Sequence, residues 1–251
     1  MLQRTLLPAL LLGSLVTTAV ADPFRPSVKD QIALGKRGAE QVRKEGKVMP
    51  DDAPLAIEVR RIGEKILAQI PEKERKDRPF EYGFSVIDDK EVNAFAMPGG
   101  PIFIYKGLLD KLGTEDAVAA VLGHEIIHVR NQHWASAYAD NTKRKLGITV
   151  ILLLLNASDT MFDVASVSDE LLFGLPYSRR HESESDRFGY DLMAAAGYNP
   201  AGMVDVFNVL AKQGKAAAEF LSTHPDAGKR GEAVAKRLQS DKREFPALRA
   251  R

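Results

Sequence analysis

The sequence predicts an α+β fold that is mainly helical and carries one small antiparallel sheet. Apolar residues recur at helical spacing in most segments, whereas they alternate with polar or small residues only between residues 80 and 105. The length of 251 residues, of which 45% are hydrophobic and 27% charged, is ordinary for one globular domain with ample core material. We therefore expect a single domain over residues 22–251.

Residues 1–21 have the pattern of a secretory signal peptide. Arg4 provides a short positive region, residues 6–16 are apolar, and Ala19-Val20-Ala21 forms a cleavage signal before Asp22. The apolar stretch is short for a membrane span, so a helical anchor is the less favoured interpretation. We expect an exported protein located in the periplasm, with secretion as the alternative, and no membrane span in the mature chain.

Charge and cysteine content exclude several classes of protein. Removal of residues 1–21 takes away Arg4 and no acidic residue, which leaves 34 basic against 34 acidic side chains. This balance gives no argument for nucleic-acid binding. The chain has no cysteine, which excludes a disulfide, a thiolate metal site, a cysteine nucleophile and a lipid-modified cysteine. Stability must then come from the core, to which a bound metal could add.

Two helices and a loop are predicted before the sheet. Ser27–Gly46 forms a polar helix whose partner surface the sequence does not identify. Residues 54–70 carry apolar side chains at i, i+4 and i+7, which predicts an amphipathic helix ended by Pro71. Glu72–Pro79 is expected to be a charged loop whose side chains face solvent.

The sheet is predicted from a change of period. Residues 80–86 alternate as in a half-buried strand, Val92–Met97 is extended, and Pro98–Pro101 forms a tight turn before the β-rich Ile102–Tyr105. Residues 93–104 are our candidate for a strand edge that binds substrate as an added strand, because backbone hydrogen bonds serve any substrate sequence. A plain structural hairpin is the alternative.

The sequence HEIIH at residues 124–128 lies in a run that predicts a buried helix with Thr114 as its N-cap. On a helix His124 and His128 lie one turn apart on the same face, where both can bind one zinc ion. Glu125 then lies beside the metal, where its carboxylate can take a proton from an activated water.

The alternative for this pentad is a pair of histidines that simply pack on a helix. Burying two imidazoles and a carboxylate in an apolar helix costs several kcal/mol unless a partner satisfies them. A metal ion does so. The pentad therefore predicts metal-assisted hydrolysis of a peptide bond.

A third ligand has to come from another part of the chain. His133 follows His128 by five residues, which is about 140° around a helix, and Asn131 stands where a metzincin turn would need glycine. We reject His133 as a ligand and expect a capping or packing role. Ser178 predicts the N-cap of a second helix that ends near Gly197.

That second helix carries two carboxylates on one face. Glu182 and Asp186 are four residues apart, and Gly189 on the same face would allow a close approach to the helix of the pentad. We expect Glu182 to be the third ligand and Asp186 to accept a hydrogen bond that fixes the tautomer of a ligating histidine. Glu184 and His181 are expected only to face solvent. A surface helix with paired charges is the alternative.

Four motifs together resemble a known family, the gluzincins that include the CAAX prenyl proteases and the HtpX heat-shock protease, most closely its soluble periplasmic members. The motifs are HEIIH at 124–128, Glu182 with Asp186, NAFAMPGG at 93–100 and LSTHP at 221–225. The resemblance covers about residues 80–230 and implies a zincin-like metallopeptidase domain. It also implies one Zn²⁺ per chain, held by His124, His128 and Glu182, with Glu125 as base. Ser185 replaces the usual alanine, a small departure.

The same resemblance makes Asn93 and His224 candidates to donate hydrogen bonds to the oxyanion that develops on the scissile carbonyl. His224 has a second interpretation, because in some periplasmic relatives the matching region closes over the metal and holds the enzyme latent. A third interpretation is a structural histidine that caps a loop before Pro225.

Leu146–Leu155 is continuously apolar and too short to cross a bilayer. We interpret it as a core helix or a flap over the site, and peripheral contact with a membrane or an unfolded client is the alternative.

The sequence thus predicts an exported zinc endopeptidase that acts on protein or peptide substrates, including misfolded envelope proteins by analogy with the periplasmic members. The alternative is a zinc-containing, chaperone-like protein that binds clients without cutting them.

Overall fold

A computed structural model describes residues 22–45, 47–154 and 167–251, with side chains for all of these except 147–154, 169 and 170. The predicted signal peptide, residues 1–21, lies outside the described residues. The helices are α1 (Val28–Lys44), α2 (Pro54–Leu67), α3 (Glu72–Asp77), α4 (Lys106–Leu109), α5 (Glu115–Arg130), α6 (His133–Leu154), α7 (Asp169–Phe173), α8 (Arg179–Ala195), α9 (Ala201–Gln213), α10 (Ala218–Thr223) and α11 (Ala227–Ser240). The strands are β1 (Gly83–Ile87), β2 (Ala94–Ala96) and β3 (Pro101–Tyr105). The predicted mainly helical character is confirmed.

The sheet is mixed, and the prediction of an antiparallel sheet was wrong. β2 and β3 form the expected antiparallel hairpin, but β3 inserts between β2 and β1 and runs parallel to β1. Ile102, Phe103 and Ile104 are buried on both faces of this central strand. Alternation in the sequence reports which face of a strand is buried, and it carries no information on strand order. The order β1-β3-β2 leaves β2 at an edge.

The tight turn between β2 and β3 packs against α1, which supplies the partner surface that the sequence did not identify. Gly99 and Gly100 have φ angles of +81° and +138°. A side chain at Gly99 would place Cβ 2.5 Å from the carbonyl oxygen of Gln31 in α1. Glycine is therefore required at this turn both by the backbone conformation and by the close approach of α1.

Residues 72–77 form the short helix α3, so the prediction of a charged loop over Glu72–Pro79 was wrong. Glu72 and Glu74 each pair with a basic residue four positions later, which stabilises even a short helix. Glu74 also accepts two hydrogen bonds of 2.7 Å from the guanidinium of Arg130, the last residue of α5. The carboxylate of Glu74 thus holds the C-terminal end of α5 in place.

Helix α5 is the centre of the core. Every residue from Asp116 to Val129 is buried, because the sheet, α2, α8 and α9 surround the helix. Thr114 caps it as predicted by accepting a hydrogen bond from the Ala117 amide. The buried Asp116 carboxylate accepts 2.7 Å hydrogen bonds from the amides of Asn199 and Arg249, which tie two distant segments to the start of α5.

Helices α5 and α8 approach closely at a pair of glycines. A Cβ at Gly189 would lie 3.0 Å from the carbonyl carbon of Gly123 in α5. The predicted role of Gly189 is therefore consistent with the packing. This contact brings the carboxylates of α8 to the histidines of α5.

Residues 146–154 of the apolar stretch belong to α6, which runs without interruption to Leu154, and Leu155 lies outside the described residues. The side chains of this stretch beyond residue 146 lie outside the described residues, so the choice between core and surface stays a prediction. Within the parts of the chain that the structure covers, no helix is both long and apolar enough to cross a membrane.

The close contact of α5 and α8 makes a testable prediction for stability. We expect Gly189→Ala to lower the free energy of unfolding by about 1–3 kcal/mol relative to Gly228→Ala, because the added methyl group meets backbone atoms that cannot move aside. Gly228 is the matched control, since it is also helical and its Cβ would have no neighbour within 4 Å. Urea denaturation of both variants measures the difference. Equal stability of the two variants would contradict the proposed packing limit.

Candidate metal centre

The two histidines of the pentad meet a carboxylate from α8 at one buried point. Nε2 of His124 and Nε2 of His128 are 3.0 Å apart. Glu182 extends Oε1 to 3.3 Å from Nε2 of His128 and Oε2 to 3.6 Å from Nε2 of His124. Helical spacing on α5 and the glycine contact with α8 therefore bring these three predicted residues together.

His224 completes a group of four. It follows α10, and its Nδ1 lies 3.2 Å and 3.3 Å from the two Glu182 oxygens and 3.4 Å from Nε2 of His124. Each of these four residues, His124, His128, Glu182 and His224, offers one ligand atom, and these atoms all lie within 4.8 Å of one another. All four side chains are buried. Such a set of nitrogen and oxygen donors can hold a metal ion.

Glu125 lies beside this group without a hydrogen bond. Both carboxylate oxygens are buried, and neither has a hydrogen-bond partner among the described residues. Nε2 of His224 lies 3.7 Å from Oε1 of Glu125, beyond hydrogen-bond distance. Burial raises the pKa of Glu125 above its ordinary value. A buried carboxylate of this kind is a candidate general base.

Burial and neighbouring charges set the protonation of the donors. Burial lowers the pKa of His128 well below its ordinary value, so its ring is neutral. Burial opposes ionisation of Glu182, but the neighbouring histidines, His224 above all, outweigh it and hold the pKa of Glu182 well below the ordinary value. A neutral imidazole and an ionised carboxylate are the forms that bind a metal.

Asp186 contacts the far nitrogen of His124. Its Oδ1 is 3.0 Å from Nδ1 of His124, as expected of an acceptor that fixes the histidine tautomer. Asp186 is in turn held by Arg230, whose guanidinium donates two hydrogen bonds of 2.7 Å to the carboxylate. Arg230 also forms an ion pair with Glu182.

Arg230 is a functional residue that sequence reasoning missed. The side chain is buried, and it lies on α11, a charged helix in which the sequence marks no functional residue. The available signal was its position six residues after His224, in a segment already marked by the LSTHP motif. A buried arginine requires carboxylate partners, and the structure provides Asp186 and Glu182.

His133 lies outside the four-residue group but touches it. Its Nδ1 is 3.1 Å from Nδ1 of His128, and its Nε2 is 3.2 Å from a carboxylate oxygen of Glu184. The ring of His181 stacks on His133 with centroids 4.5 Å apart. The expectation that Glu184 and His181 only face solvent was wrong, because both side chains contact His133 at the start of α6. Burial lowers the pKa of His133 to about 4, so this ring is also neutral.

Asn93 is not one of the four residues of this group. Its amide nitrogen donates to Glu91 at 2.8 Å, and its amide oxygen accepts from the amide of Ala94. Asn93 lines a cleft of about 460 Å³ together with Phe95 of β2 and Thr223, the residue before His224. The structure therefore places Asn93 beside the open edge of the sheet.

The model of one protein family, described as peptidase family M48, matches residues 56–238, which include all of these side chains. The chain belongs to peptidase family M48. This confirms the metallopeptidase class that the pentad predicted.

Three proteins similar to this chain are named as proteases. The chain is 36% identical over 151 residues to mitochondrial metalloendopeptidase OMA1 of Arabidopsis thaliana, covering 60% of this chain and 30% of that protein. It is 32% identical over 165 residues to metalloprotease LoiP of Escherichia coli, covering 63% of each. It is 28% identical over 155 residues to the beta-barrel assembly-enhancing protease of Escherichia coli, covering 57% of this chain and 32% of that protein. The chain thus spans less than two thirds of the length of these relatives.

The burial of Arg230 between two carboxylates makes a testable prediction for stability. We expect Arg230→Met to lower the free energy of unfolding by about 3–5 kcal/mol, because Asp186 and Glu182 would remain buried without their cation. Arg237→Met on the same helix is the control, since its pair with Asp191 is partly exposed and contributes about 1 kcal/mol or less. Urea denaturation at matched metal content measures both variants. A loss for Arg230→Met no larger than that of the control would contradict this prediction.

Proposed function

We propose that this protein is an exported, zinc-dependent endopeptidase. The observation that carries the proposal is Glu125, a buried carboxylate without a hydrogen-bond partner among the described residues, next to four metal-binding side chains. Burying such a group without a partner costs free energy in the folded state, and a catalytic function would account for its presence there. General base catalysis is the task that fits its position.

The donor set fits zinc in chemistry and in spacing. Imidazole nitrogens and a carboxylate oxygen are ordinary zinc ligands, and Zn–ligand distances of 2.0–2.1 Å in a tetrahedron place neighbouring ligand atoms about 3.3 Å apart. The two Nε2 atoms of His124 and His128 are 3.0 Å apart, Nε2 of His128 is 3.3 Å from Oε1 of Glu182, and Nε2 of His124 is 3.6 Å from Oε2 of Glu182. We assign these three residues as the zinc ligands, with one zinc ion per chain.

When bound, zinc supplies Lewis-acid chemistry and lowers the pKa of water. Glu125 takes a proton from the attacking water while the water oxygen bonds to the scissile carbonyl carbon. Glu125 then delivers this proton to the amine nitrogen as the carbon–nitrogen bond breaks. Asn93, which keeps one amide N–H beyond its bond to Glu91, is our candidate donor to the oxyanion. Asp186 holds the tautomer of His124, with its carboxylate fixed by Arg230.

The position of His224 favours the latch over the other two roles that the sequence left open. Its Nδ1 lies 3.2–3.4 Å from atoms of Glu182 and His124, which is the spacing expected of a fourth zinc ligand. A fourth protein ligand would occupy the coordination position that catalysis needs. We propose that His224 holds the site closed until the segment around it moves.

The same observation favours a second candidate function, a zinc-containing protein that binds clients without cutting them. Structural zinc sites are normally closed by a fourth protein ligand, as His224 would do here. Glu125 argues for hydrolysis, because a structural site has no use for a buried carboxylate that is not a ligand.

The open edge of β2 is the proposed binding site for the substrate backbone. Asn93 and Met97 bond to β3 through the Tyr105 amide and the Pro101 carbonyl, so that the backbone groups of Ala94 and Ala96 point to the other side. The Ala94 amide there already donates to the side chain of Asn93, which leaves the Ala94 carbonyl and the backbone groups of Ala96 for an added strand. In the described sheet β2 has a partner only on its β3 side. An extended peptide can add there as a strand next to the cleft that contains Asn93 and Thr223.

The names of the bacterial relatives support a role in quality control of envelope proteins, with misfolded or misassembled proteins as substrates. Export to the periplasm rests on the pattern of residues 1–21. The zincin-like fold and the closer likeness to CAAX prenyl proteases and HtpX stay predictions from the sequence motifs.

The general base provides the first test of this proposal. We expect Glu125→Gln to bind zinc as the wild type does and to cut unfolded casein at least 10²–10⁴-fold more slowly, because the amide cannot accept the proton. Glu115→Gln in the same helix is the control, since Glu115 pairs with Arg61 near the surface. Zinc content and the rate of casein cleavage are measured together. If zinc binds fully and no variant cuts casein or any envelope protein offered, the client-binding function is supported instead.

The latch provides a second test. We expect His224→Ala to cut casein several-fold faster than the wild type and to retain its zinc, because three protein ligands and the open position remain. Chelation should abolish the activity of both proteins. Slower cleavage by His224→Ala at full zinc content would contradict the latch and support a donor to the oxyanion.

A further inference from the structure

His133, which sequence spacing excluded as a ligand, lies buried between a proposed ligand and an acidic side chain. Nδ1 of His133 is 3.1 Å from Nδ1 of His128, and Nε2 of His133 is 3.2 Å from Oε2 of Glu184. His133 is 1% exposed. Glu184 is anchored on its other oxygen by Arg180, which donates at 2.8 Å. Three residues thus connect a buried imidazole to the protein surface.

The protons along this chain follow from Glu184. An ionised carboxylate can only accept hydrogen bonds, so Nε2 of His133 carries the proton in this contact. In a neutral ring the other nitrogen, Nδ1, then has a lone pair, which can accept from Nδ1–H of His128 at 3.1 Å and from the Ser185 hydroxyl at 3.3 Å. Nε2 of His128 is left with its lone pair, and this is the atom that faces Glu182 and His124.

The left-handed backbone conformation of Gln132 allows His133 to reach His128. Five residues along a continuous helix correspond to about 140° of rotation, which would turn His133 away from His128. Helix α5 ends at Arg130, and Gln132 has a φ of +56°. This conformation is costly for a residue with a Cβ and persists only where the surroundings hold it. Here Gln31 of α1, itself buried, donates to the Gln132 side chain at 3.0 Å.

We propose that His133 and Glu184 are positioning residues that fix the tautomer and ring orientation of His128. They act through His128 and touch neither substrate nor metal. The inference rests on the zinc site proposed above. The two ligand histidines would then be held by different groups, His124 by the Asp186 carboxylate and His128 by a neutral imidazole backed by a carboxylate.

The test compares three zinc-loaded variants of the full protein with the wild type. His133→Phe keeps the ring that stacks on His181 but removes the acceptor. His133→Asn places an amide oxygen near the position of Nδ1 and should restore the contact. Glu184→Gln can present an N–H to His133 and so weakens the preference for the required tautomer. Ser183→Ala, on the exposed side of α8, is the matched control.

Two readouts do not depend on catalysis. The first is zinc affinity by competition with a chelator, where we expect a loss of roughly 10- to 100-fold for His133→Phe, a smaller loss for Glu184→Gln, and near wild-type affinity for His133→Asn and Ser183→Ala. The second is the ¹⁵N-resolved NMR signal of Nδ1–H of His128, which should exchange faster with water in His133→Phe. The protein has only five histidines, so the signals can be assigned by substitution.

The results separate this inference from the proposed function. Wild-type affinity and an unchanged His128 signal in both His133→Phe and Glu184→Gln would overturn the positioning role, while zinc binding by the wild type would still stand. A wild type that binds no zinc would overturn both. If His133→Phe does not fold, Glu184→Gln and His133→Asn decide, because Glu184 lies nearer the surface with 28% of its side chain exposed.

Discussion

The metal centre of this protein depends on partners that offset the free-energy cost of burying polar groups in an apolar helix. Helix α5 is buried from Asp116 to Val129, and it places two imidazoles and a carboxylate where water cannot solvate them. Each such group costs several kcal/mol unless a partner satisfies it. The histidines find partners on α8 and in the segment after α10, whereas Glu125 finds none in the described structure. The packing around α5 therefore has to offset the free-energy cost of burying Glu125 without a partner.

Buried ion pairs, in addition to the metal-binding side chains, offset this free-energy cost. Arg230 from α11 is shared between Asp186 and Glu182, so that one buried cation faces two buried carboxylates. This leaves an excess of negative charge beside the histidines, which favours binding of a divalent cation. The arrangement also connects α11 to α8, so the last described helix contributes to the metal centre without supplying a ligand.

Much of the site could be predicted from the sequence, because helical spacing determines which residues share a face. The proximity of His124, His128 and Glu182 follows from two helices and a glycine contact. His133 could not be placed in this way, since its position depends on a left-handed residue that has no Gly or Asn signal in the sequence. Arg230 was missed because a single arginine in a charged helix looks solvated until its carboxylate partners are known. Strand order was missed because alternation does not encode it.

The proposed latch and the charge support come from one segment, yet they can move separately. His224 precedes α11, and Asp226 between them has a φ of +62°, which breaks the helical geometry before Arg230. The amide of Tyr177 donates to the Thr223 carbonyl at 3.0 Å, so the chain is held on the other side of His224 as well. Rotation confined to the residues between these two anchors would withdraw the imidazole while Arg230 keeps its contacts with Asp186. Opening of the metal position would therefore break the buried contacts of His224 with Glu182 and Glu125 but leave the ion pairs of Arg230 in place.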